Sequence, residues 1–327
     1  MDEIIRKILN NIEKDSEDTF DIERYEGFQV KRENFHDIIT KPSTKKIVFI
    51  DGGNLEIIKS PSISLFFNRI YYTVYFDNKR IRNKVVEFYN LISAFKKNNR
   101  IFYKTEYYFI KNRLRLEEYE FDSFDKTLIS GNNRASISVV GDIIRRFAEL
   151  SIIKDINEDA LFVLDGTLEA KYTYEDMLLQ ELYKDNICAL SKTSSLLTKS
   201  GHTLTAYLAR KTDKGIWYYF TGKATNQHHT AEIFFVKFHP KSDYVFRFEI
   251  SKTSDINQCF SLLCENSKDP IFLGYPYGLV EADRFARVSF KEAESLQLQL
   301  RFKKGFERIT PYINSLNAHK VLDKFIN

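Results

Sequence analysis

Two apolar runs in this sequence each deliver an aspartate into a glycine: "KKIVFIDGGNLEI" at 45–57 and "DALFVLDGTLEA" at 159–170. The runs predict buried strands over Ile47–Ile50 and Leu161–Leu164, each followed directly by the aspartate, Asp51 or Asp165. Asp-Gly by itself is a turn signal, because glycine accepts the positive φ of hairpin turns. A pair of such strand ends carries a second meaning. Ligands of open α/β sheets gather at the carboxyl edges of strands, and two carboxylates on one edge repel unless a cation lies between them. Mg²⁺ and Mn²⁺ prefer oxygen ligands. Two such ions about 3.5–4 Å apart clamp the attacking and leaving oxygens of a phosphodiester.

Further acids fit the same scheme. Glu149 follows the apolar run "IIRRFAEL" on a predicted helix and is placed to aim at the strand ends. Equally, Arg145 lies four residues before it and makes an intrahelical ion pair. Asp283, in "GYPYGLVEADRFARV", reads on its own as a first-turn acid favoured by a helix dipole.

The elements that must position these residues follow from periodicity. A helix is predicted over the first 25 residues from Ile4, Ile5, Ile8, Leu9 and Ile12. Strands are expected over 68–77 and 100–110, rich in Tyr, Phe and Ile, with a helix over Lys84–Lys97 between them. A long amphipathic helix covers Arg134–Ile156, a short strand Ala160–Leu164, a helix Thr173–Asp185 and a strand Ile187–Lys192. Strands at 231–240 and 244–251, a helical stretch at 279–304 and a C-terminal helix over Asn314–Phe325 complete the chain. Strands first, then strands alternating with helices, predict an α/β fold with a mixed sheet.

Composition bounds function loosely. The chain has 327 residues, 43% hydrophobic and 29% charged, with 28 Phe, 19 Tyr and a net charge of +4. This describes a globular protein whose charge permits nucleic-acid binding without demanding it. Apolar runs such as "IVFI" are far too short to span a bilayer and the first 25 residues hold no signal-peptide core, so a cytoplasmic protein is expected. Three cysteines without a CxxC pair make neither a disulfide framework nor a structural zinc site. The histidines offer no other metal site: His228 and His229 are adjacent in a polar loop, and these two, His202 and His239 are expected at the surface. No Gly-rich Walker loop is present.

The order "IDGG", then R-x-x-x-E on a helix, then "LDGTL", "LSKTS" and "GYPYGLVEAD" resembles the NurA nuclease family, from about residue 45 to the C-terminus. The resemblance implies an RNase H-like mixed sheet flanked by helices, with added N- and C-terminal helices. Residues 1–40 would form a helical extension and 41–327 the nuclease domain with its insertions. It further implies a Mn²⁺- or Mg²⁺-dependent deoxyribonuclease, an exonuclease with possible single-strand endonuclease activity. Such an enzyme would act in DNA end resection and repair, as a homodimer partnered with a hexameric HerA-type ATPase. Asp51, Glu149 and Asp165 would be metal ligands. Lys192 would stabilise charge building on the phosphate, although a solvated loop lysine reads the same in sequence. Tyr277 would contact the DNA backbone, or simply pack. The chain departs from the family at two places: Gly53 stands where a serine is expected, and Asp283 where a histidine is expected as a further ligand.

Three other readings compete. "VFIDGGNL" also resembles the opening of NYN/PIN-type RNases, but the second Asp-Gly lies far beyond one such compact domain. A non-catalytic DNA-processing subunit of the same fold is kept open by Gly53 and Asp283. A sugar-kinase or phosphatase relative lacks the paired Gly-rich nucleotide loops.

Overall fold

The computed structural model describes residues 1–13, 19–22, 25–42, 45–183, 186–194, 196–198, 202–251 and 255–313. The chain begins with α1 (Asp2–Glu13), β1 (Thr19–Ile22), β2 (Tyr25–Gln29) and β3 (Phe35–Asp37). A long meander follows: β4 (Lys46–Lys59), β5 (Ile63–Phe76), β6 (Lys79–Lys97), β7 (Arg100–Lys111) and β8 (Glu120–Asp122). Then come α2 (Val139–Lys154), β9 (Ala160–Asp165), α3 (Glu175–Leu182), β10 (Ile187–Ser191), β11 (Leu197–Thr198) and α4 (Leu204–Arg210). The last part is β12 (Trp217–Asn226), β13 (His229–Lys237), β14 (Phe246–Ile250), α5 (Ile256–Asn266), α6 (Tyr277–Ala286) and α7 (Phe290–Arg301).

Among the described residues, eleven strands make one sheet in the order β3-β12-β13-β14-β10-β9-β4-β5-β6-β7-β8, and β11-β1-β2 make a small second one. β4 with β9, and β9 with β10, are parallel; the other pairs of the large sheet are antiparallel. The expected α/β architecture with a large mixed sheet flanked by helices is therefore present. Strand alternation sorts the layers. Val48 and Ile50 face a core shared with Ile143 and Phe147 of α2, while Ile47 and Phe49 face one shared with Phe260 of α5 and Leu279 of α6.

Four expectations need correction. The segment 84–97 is not a helix but most of β6, with Val86, Phe88, Asn90 and Ile92 buried at every second position. Its apolar residues satisfy both periods, and the β-branched and aromatic content together with neighbours on both sides decides for strand. The Asp-Gly of Asp51–Gly52 is not a turn either: β4 runs straight through it to Lys59. The tight reversals of the meander fall instead at Asp77–Asn78 and Asn98–Asn99, where positive φ values of 48°, 53°, 49° and 63° match hairpin geometry. At the N-terminus the helix stops at Glu13 and strands follow. The helical stretch at 279–304 is two helices, because Ser289 adopts an extended conformation and caps α7 by accepting from Glu292 N at 3.2 Å. The expected helix over 314–325 lies outside the described residues. Among the described residues no helix is long and apolar enough to cross a membrane.

α6 presses its backbone onto the sheet. A Cβ on Gly278 would stand 1.9 Å from the Cδ2 of Phe49, a fully buried ring. Gly278→Ala is expected to cost about 1–3 kcal/mol through overpacking, read by urea or thermal unfolding. Unchanged stability would show that α6 does not seat here.

Candidate active site

β4 outlasts its parallel neighbour, and that geometry opens the site. The last residues paired between β4 and β9 are Ile50 and Leu164. Asp51 and Asp165 therefore stand side by side where the two strands part. Both continue the alternation that turns Phe49 and Val163 toward the α6 face. α6 carries Asp283. Glu149 arrives from the opposite face, on α2, and a Cβ on Gly52 would lie 2.7 Å from its Oε1. Glycine at 52 is thus the space that the Glu149 carboxylate fills. Gly53 has a similar cause: a Cβ there would stand 2.2 Å from the Ala286 carbonyl oxygen at the end of α6. A serine at 53 would collide with this helix.

The carboxylates sense one another. Asp51 is raised from 3.8 to about 7, first by burial and then by the charges of Glu149 and Asp165; Gly52 N–H opposes the rise and Asp283 adds to it. Four basic side chains moderate the cluster, Arg146 among them with its Nη1 3.6 Å from Glu149 Oε2. Arg145 pairs with Glu149 and donates to Gly52 O at 3.2 Å. Lys192 Nζ lies 2.8 Å from Asp165 Oδ2 and 3.8 Å from Asp283 Oδ1. Arg287 Nη2 meets Asp283 Oδ2 at 2.9 Å. Glu149's charge holds Arg145 above the ordinary arginine value against desolvation. Burial would lower Lys192, but its bond to Asp165 and the surrounding acids bring it out raised.

Asp51, Glu149, Asp165, Arg145, Lys192 and Arg247 line an open cavity of about 820 Å³. The structure thus gathers Asp51, Glu149, Asp165, Lys192 and Asp283 in one place. Tyr277 is half-buried against the core beside Tyr75. The tyrosine that faces the acids is Tyr275, two residues earlier. It is 2% exposed, its hydroxyl has no hydrogen-bond partner among the described residues, and Lys192 Nζ lies 5.7 Å from its ring centre. Burial, with Asp165, Asp51 and Asp283, holds its hydroxyl well above the ordinary tyrosine value. Both tyrosines lie in one motif, so sequence spacing alone did not separate them. Arg146, inside the "IIRRFAEL" run, and Arg247, away from every motif, are two further cavity-lining bases that the sequence reading did not single out.

No protein-family model and no curated protein matches the sequence. In structure, the chain is similar to the NurA nuclease from Sulfolobus solfataricus, with a TM-score of 0.53 and 15% identity over 91% of this chain and 92% of that one. It shares that nuclease's fold. Endonuclease V from Ciona intestinalis, in complex with an inosine-containing DNA, superposes with a TM-score of 0.41 and 11% identity over 79% of this chain and 89% of that one. Human ENDOV gives 0.39 and 9%, over 77% and 86%. These two agreements are too loose to weigh in the argument.

An all-oxygen donor set fits a hard divalent cation, and the crowding around Asp51 is the charge imbalance that a cation relieves. Among the described residues no three acid, imidazole or thiol groups are arranged to enclose an ion as they stand. The reason is visible in the pairing, since Glu149 is turned to Arg145 and Asp165 to Lys192.

The raised Asp51 value has a definite sign for stability. The folded chain keeps Asp51 protonated up to about pH 7, whereas the unfolded chain ionises it near 3.8. Its contribution is therefore full below about pH 4 and is lost as pH rises through about 7. The shift is worth on the order of 4 kcal/mol. Without divalent ions, Asp51→Asn is expected to match the parent near pH 4 and exceed it near pH 8 in thermal unfolding. Parallel pH profiles would place Asp51 in a solvated setting instead.

Proposed function

We propose that this protein is a metal-dependent DNA nuclease of the RNase H-like type, with its reaction centre at Asp51, Glu149, Asp165 and Asp283. The observation that carries the reading is the gathering of these acids at the parting of two parallel strands, where burial first and the neighbouring carboxylates second lift Asp51 to about 7. The strand order β6-β5-β4-β9-β10, an antiparallel meander joined to a parallel pair, supports the fold type. The likeness to a NurA nuclease supports it from outside the chain.

Asp51, Glu149, Asp165 and Asp283 would hold Mg²⁺ or Mn²⁺, and two such ions would supply Lewis-acid stabilisation and a water nucleophile at neutral pH. The chain's own bases do the rest. Lys192 and Arg145, freed from their carboxylates, are placed to meet the phosphate oxygens, where fixed positive charge stabilises the developing negative charge. Lys192 Nζ lies over the Tyr275 ring, 5.7 Å from its centre. The resemblance in sequence extends the proposal to exonucleolytic DNA end processing in the cytoplasm by a homodimer fed by a HerA-type ring ATPase, with Tyr277 against the DNA backbone.

A non-catalytic DNA-binding subunit is the second reading, and one observation favours it: Glu149, Asp165 and Asp283 each already have a basic partner. Catalysis decides between them. In Mn²⁺, the parent is expected to degrade labelled DNA, and Asp51→Asn to lose several orders of magnitude in turnover while keeping its fold. Cleavage by Asp51→Asn at the parental rate would remove the site, and an inert parent would leave the non-catalytic subunit.

Asp283 carries the departure from the family pattern. As a ligand it is expected to tolerate Asp283→His with a shifted metal preference, whereas Asp283→Ala impairs cleavage. Full activity and metal binding in Asp283→Ala would reduce Asp283 to the partner of Arg287 and Lys192.

A further inference from the structure

The backbone that follows Asp165 is held on every side. Gly166, at φ +102°, donates its N–H to Leu190 O at 3.1 Å, and its carbonyl accepts from Ser191 Oγ at 2.6 Å. Arg146 Nη2 donates to Thr167 O at 2.7 Å, and Tyr183 Oη to Leu168 O at 3.0 Å. The remaining anchor is of a different kind. Leu168 N donates at 2.8 Å to Oε2 of Glu249, a carboxylate with no exposed surface.

Glu249, on β14, gathers two more partners. His229 Nε2 lies 2.8 Å from the same Oε2, and Arg247 Nη2 lies 2.6 Å from Oε1. His229, expected at the surface, is in fact buried at the start of β13. A carboxylate accepts only, so the His229 proton sits on Nε2. Arg247 lines the cavity that holds Asp51 and Asp165. Burying a charged group costs several kcal/mol unless it is paired, and an apolar replacement of such a cluster is often neutral or stabilising. Core filling alone does not account for an ionic trio here. Its placement does: one end grips the loop of Asp165, and the other sets a guanidinium in the same cavity.

We propose that Glu249 is a positioning residue which, braced by His229 and Arg247, fixes the Asp165 loop and the Arg247 guanidinium relative to the reaction-centre carboxylates. The inference rests on the metal-dependent reading of that site. Glu249 touches no ligand directly and acts through the Leu168 backbone, three residues beyond Asp165.

The test measures Mn²⁺ binding to the full chain without DNA, from the electron paramagnetic resonance signal of free Mn²⁺. Asp51→Asn, which removes a proposed ligand, marks the binding that belongs to the site. Glu249→Gln is expected to weaken that binding roughly tenfold, the lower end of what outer-shell partners contribute to metal affinity. His229→Leu is expected to weaken it similarly, and His229→Gln, which keeps a donor, to restore most of it. A purely structural trio would lower the melting temperature and leave Mn²⁺ affinity alone, and that result overturns the proposal. So does a His229→Gln variant as weak as His229→Leu. If Glu249→Gln does not fold, the two His229 variants decide. A parent that binds Mn²⁺ yet cleaves no DNA sinks the nuclease reading and leaves the positioning role standing on affinity. A parent that binds no Mn²⁺ sinks both.

Discussion

Two consecutive glycines in the middle of β4 let two helices reach the backbone of one strand from opposite faces. At Gly52 the missing Cβ is the space for the Glu149 carboxylate of α2, and at Gly53 it is the space for the Ala286 carbonyl of α6. Gly278, on α6 itself, repeats the device against the Phe49 ring. Interiors are close-packed, so contacts this tight leave neither helix room to slide. The four acids converge because the helices that carry two of them are seated directly on the strand that carries a third.

α6 is held by charge as well as by contact. Glu281, two residues before Asp283, is buried and accepts from Tyr71 Oη at 2.6 Å, Tyr75 Oη at 2.5 Å and Arg80 Nη1 at 3.0 Å. Burial alone would raise its carboxyl, but these three donors more than offset that and leave it below the ordinary value. At the C-terminal cap of the helix, Arg69 donates to the Arg287 carbonyl at 3.1 Å while also pairing with Glu87 and Glu292. Asp283 thus sits on a short helix tied to β5 at its middle and at its C-terminal end. Buried ionic groups of this kind are costly when a partner is lost, so the helix has one favourable seat.

The acid cluster is only partly compensated. Arg145, Lys192 and Arg287 each satisfy one carboxylate, and the burden that remains falls on Asp51, whose only hydrogen bond among those described is from the Gly52 N–H.

Strong local patterns determined much from sequence alone. Apolar runs specified β4 at Ile47–Ile50 and β9, and helical periodicity specified α2 and α3, because each depends on neighbours within a few residues. The order of motifs placed Asp51, Glu149, Asp165, Lys192 and Asp283 in one set, and the structure gathers them. What failed locally was decided by distant partners. Residues 84–97 fit either period until β5 and β7 flanked them. The Asp-Gly at 51 stays extended because β5 continues beside it and α6 closes over the next glycine. His229 looked like half of a polar loop and is buried by Glu249, twenty residues on. Tyr275, in the segment just before α6, rather than Tyr277 on the helix is the one buried beside Lys192 and the acids. Periodicity is a property of neighbouring residues, whereas burial and electrostatic coupling belong to groups that meet only when the chain is folded.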